Sequence, residues 1–257
     1  MKQFFIVKQF LFDMVLEIEK FTQDIIQKIQ EQENSKRREL DMDYSPLPGG
    51  YTGYGLRTPV VREISKEFYK QLKSSGVTEI DDLLNYCNFF LTKRITELRH
   101  MAFDWSYKLK RHFEPRHFDV FESWLKNYVT GWGSTDHLCI QSLGYLLHMY
   151  PELVERVKKW TSSNNLWVKR ASAVSLIYGL RRGVFLKDAF EIADDLLHDQ
   201  EMYVQKGYGW MLKEASKLYR AEVFNYVIKH KDTMPRLSLR YAIEKMPEEM
   251  RKEAMQS

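Results

Sequence analysis

The chain has 257 residues, 44% hydrophobic and 14% aromatic with 29% charged, which suits an ordered globular protein and excludes an intrinsically disordered one. The formal net charge of +4 is unevenly placed: residues 1–43 carry seven Lys/Arg against nine Asp/Glu, so the other 214 carry +6. That asymmetry is compatible with a basic surface for a polyanion, although +4 alone says little.

The start, MKQFFIVKQFLFDMVLEIEK, breaks its apolar run at Lys8, Asp13 and Glu17, so neither a secretory signal nor a membrane span is expected. Leu11, Val15, Ile18, Ile25 and Ile29 follow a helical period. After the charged run ENSKRRELDMD, the stretch YSPLPGGYTGYGLR (44–57) has the Pro and Gly content of a loop, read as packed by its own aromatics. It lacks the Gly-Lys-Ser/Thr ending of a phosphate loop. Thr58-Pro59 then marks a helix start.

From about residue 78 the pattern is helical throughout, in antiparallel pairs of about 35 to 40 residues. Leu83, Cys87, Phe90 and Leu91 form one apolar face, and Cys139, Leu143, Leu146, Leu147 and Tyr150 another. Further faces are Trp167, Ala171, Val174 and Tyr178, then Val204, Tyr208, Met211, Leu212, Ala215 and Leu218. Pro115, Pro151, Pro235 and Pro247 sit where helices begin. No segment alternates with period two. About a dozen helices of 10 to 20 residues are predicted, as a curved stack of helical repeats or a compact bundle.

Cys87 and Cys139 are far apart, without a disulfide or redox pattern, which points to a reducing cytoplasm. The seven histidines form no HExxH or His/Cys set, so no metal and no cofactor are expected. Cys139 reads as a small buried residue rather than a nucleophile.

Three stretches stand out. In TGWGSTD (130–136), Gly131 and Gly133 strip side chains from both sides of Trp132, and Asp136 falls in what reads as a first helical turn, capped around Ser134. An acid there is accounted for by the helix dipole alone. In NNLWVKRASAV (164–174), Lys169 and Arg170 stand together near a helix start, where a solvated face is the ordinary explanation. In YVQKGYGWMLKEASK (203–217), Gly207 and Gly209 interrupt a good helix at about 1 kcal/mol each. Either they bare the Trp210 indole or they admit a tight helix crossing.

In order along the chain, these residues resemble the DNA alkylation repair family of HEAT-like-repeat glycosylases, the AlkD-type enzymes. Trp132 and Asp136 keep that family's Trp-to-Asp spacing, and Trp167-Val168-Lys169-Arg170 matches its Trp-aliphatic-basic-Arg element. Tyr203 to Glu214, with Trp210, matches its aromatic-x-x-Lys-x-x-Gly-Trp segment, and Tyr54, Gly55, Arg57, Pro59 and Arg62 match an upstream element. Gly133-Ser134-Thr135 depart from the aliphatic residue usual before the aspartate.

The resemblance implies an all-α, HEAT-like curved solenoid with a concave DNA-binding face. It spans about 50–245 of a single domain, with 1–43 as an N-terminal helical extension. It implies hydrolysis of the N-glycosidic bond of N3- or N7-alkylated purines, such as 3-methyladenine and 7-methylguanine, in double-stranded DNA, by a monomer. Asp136, Trp132, Trp210 and Arg170 are then the catalytic candidates. Lys169, Arg170, Lys206, Lys213, Tyr54 and Arg57 are the DNA-binding ones. The alternative is a non-catalytic protein of the same fold recognising bent or branched DNA; a helical scaffold for other proteins is a third reading.

Overall fold

The computed structural model describes the backbone of residues 2–34 and 50–256, and side chains from residue 13 onward in those ranges. Among the described residues the fold is all-α: no strand forms, and a lone bridge pairs Thr52 with Ile95. No helix among them is long and apolar enough to cross a membrane. The chain divides into two compact units, residues 1–112 and 113–257.

The first unit contains α1 (Lys2–Glu31), α2 (Thr58–Ser74), α3 (Ile80–Thr92) and α4 (Thr96–Lys108). Ile18, Ile25 and Ile29 lie on one side of α1 and are buried, as their spacing predicts. Phe21 meets Phe68 and Tyr86 edge-on, at 5.7 and 5.5 Å between ring centroids. Trp105 of α4 is fully buried and donates its indole N–H to Ser65 Oγ at 2.8 Å, which removes the penalty for burying that donor. The described part of the N-terminal segment therefore belongs to this unit's core. Val15 departs from the predicted apolar face and is 45% exposed; the side chain of Leu11 lies outside the described residues.

Residues 44–49 of the Gly-rich loop also lie outside the described residues, but 50–57 differ from the expected self-packed loop. They lie on the start of α4, where buried Glu97 accepts the backbone N–H groups of Tyr54 (2.9 Å) and Leu56 (3.4 Å). The Arg99 guanidinium stands 4.4 Å over the Tyr51 ring. Backbone amides that no helix satisfies have found a buried carboxylate instead.

The second unit runs through α5 (His117–Tyr128), α6 (Trp132–Leu138), a π turn (Cys139–Leu143), α7 (Gly144–Met149) and α8 (Val154–Lys158). It continues with α9 (Leu166–Val174), α10 (Ile177–Leu180), α11 (Leu186–Asp195), α12 (Met202–Ala215), α13 (Arg220–His230), α14 (Arg236–Ile243) and α15 (Glu248–Met255). Several helices are shorter than predicted because 3-10 and π turns divide them; Pro151 opens a 3-10 turn. Pro235 and Pro247 each immediately precede a helix. Leu218, predicted on the apolar face of α12, falls beyond its end and is 57% exposed.

Polar ties between elements recur at one spacing. Trp160 to Glu122, Arg170 to Asp136, Lys158 to Glu191, Arg181 to Glu214, and Tyr226 to Asp194 join residues 32 to 38 apart. That interval is the length of one helical-repeat unit, each packing against the next. It lies close to the pair length of about 35 to 40 residues expected from the sequence, although the pairs share little identity.

Candidate functional site

Asp136 is not where the cap residues placed it. Helix α6 starts at Trp132 with Gly131 as its N-cap, so Asp136 is the fifth helical residue and outside the first turn. Ser134 and Thr135 are inside the helix, and their hydroxyls donate back to Gly131 O at 3.0 and 2.9 Å. The helix-dipole explanation for the acid thus falls away, since that effect fades beyond the first turn.

Asp136 faces Arg170 of α9 in a two-pronged pair, Nε to Oδ1 and Nη2 to Oδ2, both 2.9 Å. The side chains are 14% and 6% exposed. The third guanidinium arm, Nη1, donates to Tyr203 O at 2.6 Å. Burial pushes the Asp136 carboxyl above its ordinary pKa, and Arg170 opposes that rise by hydrogen bonding and charge. Asp136 is therefore a carboxylate with little water, oriented by a planar partner that fixes both oxygens.

Trp132 lies one turn before Asp136 on the same helix face and is 56% exposed. No heavy atom of another element lies within 4 Å of where a Cβ would stand at Gly131 or Gly133, so both glycines beside Trp132 face open space. The bared tryptophan read from the sequence is found here, and of the two readings open at Gly207 and Gly209 the structure favours the tight helix crossing. Trp210 is half-buried and donates Nε1–H to Glu214 Oε1 at 3.1 Å.

The neighbouring glycines serve packing. A Cβ at Gly209 would stand 2.8 Å from Ser238 O and from Tyr241 Cβ, where α14 crosses α12. One at Gly207 would stand 3.2 Å from Arg170 Cγ, so that glycine leaves room for the arginine.

The basic residues divide. Lys169 is bound to Asp199 at 2.7 Å and Lys213 to Glu244 at 3.0 Å, whereas Lys206 stands 5.7 Å over the Tyr203 ring. Arg170, read from sequence as a cation for a DNA phosphate, is buried and committed to Asp136 and Tyr203. In the first unit, Tyr54 accepts a hydrogen bond from Gln30 at its hydroxyl (3.1 Å), and exposed Arg57 is the N-cap of α2.

Sequence reasoning missed Asp199, and it missed the backbone carbonyl of Tyr203 and the ring of Trp167, whose centroid is 5.3 Å from that of Tyr203. Trp167 and Tyr203 stood in the quoted motifs, but a motif does not show which of its members touch. Asp199 has no motif around it. Cys139 is fully buried, and burial pushes its thiol up to about 12, so it is an un-ionised small apolar residue as expected. A cavity of about 340 Å³ near Glu122 and Trp160 is lined by Val168 of the Trp-to-Arg motif but by none of the candidate site residues.

The sequence model of the DNA alkylation repair enzyme family matches residues 25–246, beginning inside α1. A solved structure of a predicted DNA alkylation repair enzyme from Enterococcus faecalis superposes with a TM-score of 0.71 at 16% identity, covering 84% of this chain and 97% of that one. At that identity the likeness speaks for the fold. No curated protein matches the sequence. A match over most of the chain, on an all-helical fold that brings the Trp-to-Asp and Trp-to-Arg motifs together, shows that the chain belongs to the DNA alkylation repair enzyme family.

Proposed function

We propose that the chain is a monofunctional DNA glycosylase acting on purines that carry positive charge through N3 or N7 alkylation in double-stranded DNA. The reaction breaks the bond between C1′ and the base nitrogen. The bonding electrons pass to the cationic base, which leaves neutral without a general acid, and a water oxygen bonds to C1′ while its proton passes to solvent. What needs help is the sugar, which becomes oxocarbenium-like in the transition state.

The observation that carries the reading is Asp136, desolvated yet held as an oriented carboxylate beside an exposed indole. A carboxylate short of solvation gains more from positive charge developing nearby than one in water, so it favours the transition state over the ground state. Its unused lone pairs can orient the attacking water. Trp132 offers an aromatic face to the cationic nucleotide, worth about 0.5 to 2 kcal/mol. In this reading Arg170 positions Asp136, Trp210 stands at the flank of the lesion, and Lys206, Tyr54 and Arg57 contact the DNA backbone, with Lys169 and Lys213 secondary.

The test is release of free methylated bases from alkylated DNA, identified by mass, for wild type and Asp136→Asn. Wild type is expected to release base and the variant to do so at least about 100-fold more slowly, the scale of losing one preorganised electrostatic partner. Salt-sensitive DNA binding without release by wild type would instead favour the non-catalytic DNA-binding protein.

A further inference from the structure

We propose that Trp167, Asp199 and Tyr203 form a latch between α9 and α12 that positions Arg170, and through it the Asp136 carboxylate. The proposal rests on the glycosylase reading above. Three ties join the start of α9 to residues 199–203: Arg170 Nη1 to Tyr203 O at 2.6 Å, Lys169 Nζ to Asp199 Oδ2 at 2.7 Å, and the Trp167 ring against the Tyr203 ring at 5.3 Å.

On a helix, residues 167 and 170 share a face and 169 flanks it, so the three ties come from one turn of α9 and grip one short segment. That segment is itself pinned. Asp199 Oδ1 accepts the Glu201 N–H at 2.8 Å, and Asp199 O accepts from Gln205 Nε2 at 2.9 Å.

The geometry gives the latch its task. A guanidinium holds both oxygens of a carboxylate only when its plane is fixed. The Asp136 pair supplies two contacts, and Tyr203 O supplies the third that locks the plane. Tyr203 O can do so only while the start of α12 stays against α9, which is what the Trp167–Tyr203 ring contact and the Lys169–Asp199 pair secure. Gly207 completes the arrangement by letting Arg170 lie along α12. Trp167, Asp199 and Tyr203 are thus positioning residues, and Lys169 belongs to the latch.

The experiment compares wild type, Trp167→Leu and Trp167→Phe by base-release kinetics and by following the Asp136 carboxyl through a pH titration with carbon NMR. In Trp167→Leu, kcat is expected to fall by about 10-fold or more with KM within about two-fold, the pattern of a contact used only in the transition state. The carboxyl midpoint should move further up, because burial persists while Arg170 holds the carboxylate less well. Trp167→Phe should keep both near wild type.

A folded Trp167→Leu with unmoved carboxyl midpoint overturns the latch, whatever its activity. Should Trp167→Leu fail to fold, Asp199→Asn cuts the charged tie alone, and the midpoint must again rise for the proposal to stand. Wild type that releases no base, with the midpoint still shifted in the variant, would sink the glycosylase reading and leave the latch intact.

Discussion

Two carboxylates within this family motif region are tuned in opposite directions, although both are mostly buried. At Asp136 burial wins over one arginine, and the carboxyl sits above its ordinary range. At Glu214 burial also pushes upward, but hydrogen bonds from Arg181, Lys217 and the Trp210 indole outweigh it and hold the carboxyl down to about 2. The number of donors decides: one fork against three separate groups. Because the folded value at Glu214 lies below the unfolded one, its ionisation stabilises the fold above about pH 4.5. That stabilisation is lost as pH falls from there toward about 2. Glu214→Gln should therefore lower the melting temperature at neutral pH, with a loss of about 1 to 2 kcal/mol, kept small because both cationic donors are partly in solvent. Melts from pH 7 to 2.5 should show the gap to wild type closing as Glu214 is protonated. A gap independent of pH would mean that size and shape, rather than charge, matter at this position.

At the scale of helices, packing overrides propensity. Gly209 costs α12 about 1 kcal/mol against alanine, yet a Cβ there would meet backbone of α14 at 2.8 Å. Moving a helix aside costs about 1 to 3 kcal/mol, so Gly209→Ala should destabilise despite its better propensity. Gly133→Ala, in open space on α6, should not; thermal melts of the two variants separate these effects. Helical content, most proline starts and the buried faces of α3 and, Leu218 apart, α12 were legible in the sequence because they depend on spacing within one element. Of the face predicted for α9, Ala171 and Val174 are buried, while Trp167 and Tyr178 are half-buried and Tyr178 lies in α10. The start of α6 was not. Ser134 and Thr135 look like caps, but their hydroxyls bond back into a helix that already began at Trp132. The Asp136–Arg170 pair was legible only as two motif residues 34 apart, since pairing across repeats depends on how the helices stack.

Over the whole molecule the excess of positive charge is slight, and among the described residues several of the cations are already paired with carboxylates. The family resemblance identified the motif residues, but not which cations are engaged. Sequence placed Lys169, Lys206 and Lys213 together as DNA contacts, while the structure ties the first and last to Asp199 and Glu244 and sets Lys206 over an aromatic ring. A phosphate that recruits Lys169 must first part it from a carboxylate that is only 10% exposed. One that recruits Lys206 displaces no such partner. Binding to duplex DNA should therefore weaken with salt, and each lysine that neutralises a phosphate contributes about one unit to the slope of log K against log salt. Lys206→Ala is expected to reduce that slope by close to one unit and Lys169→Ala by distinctly less. Titrations at several salt concentrations would check this. Equal reductions in the two variants would mean that the Lys169–Asp199 pair opens on binding, and that DNA itself releases one tie of the latch.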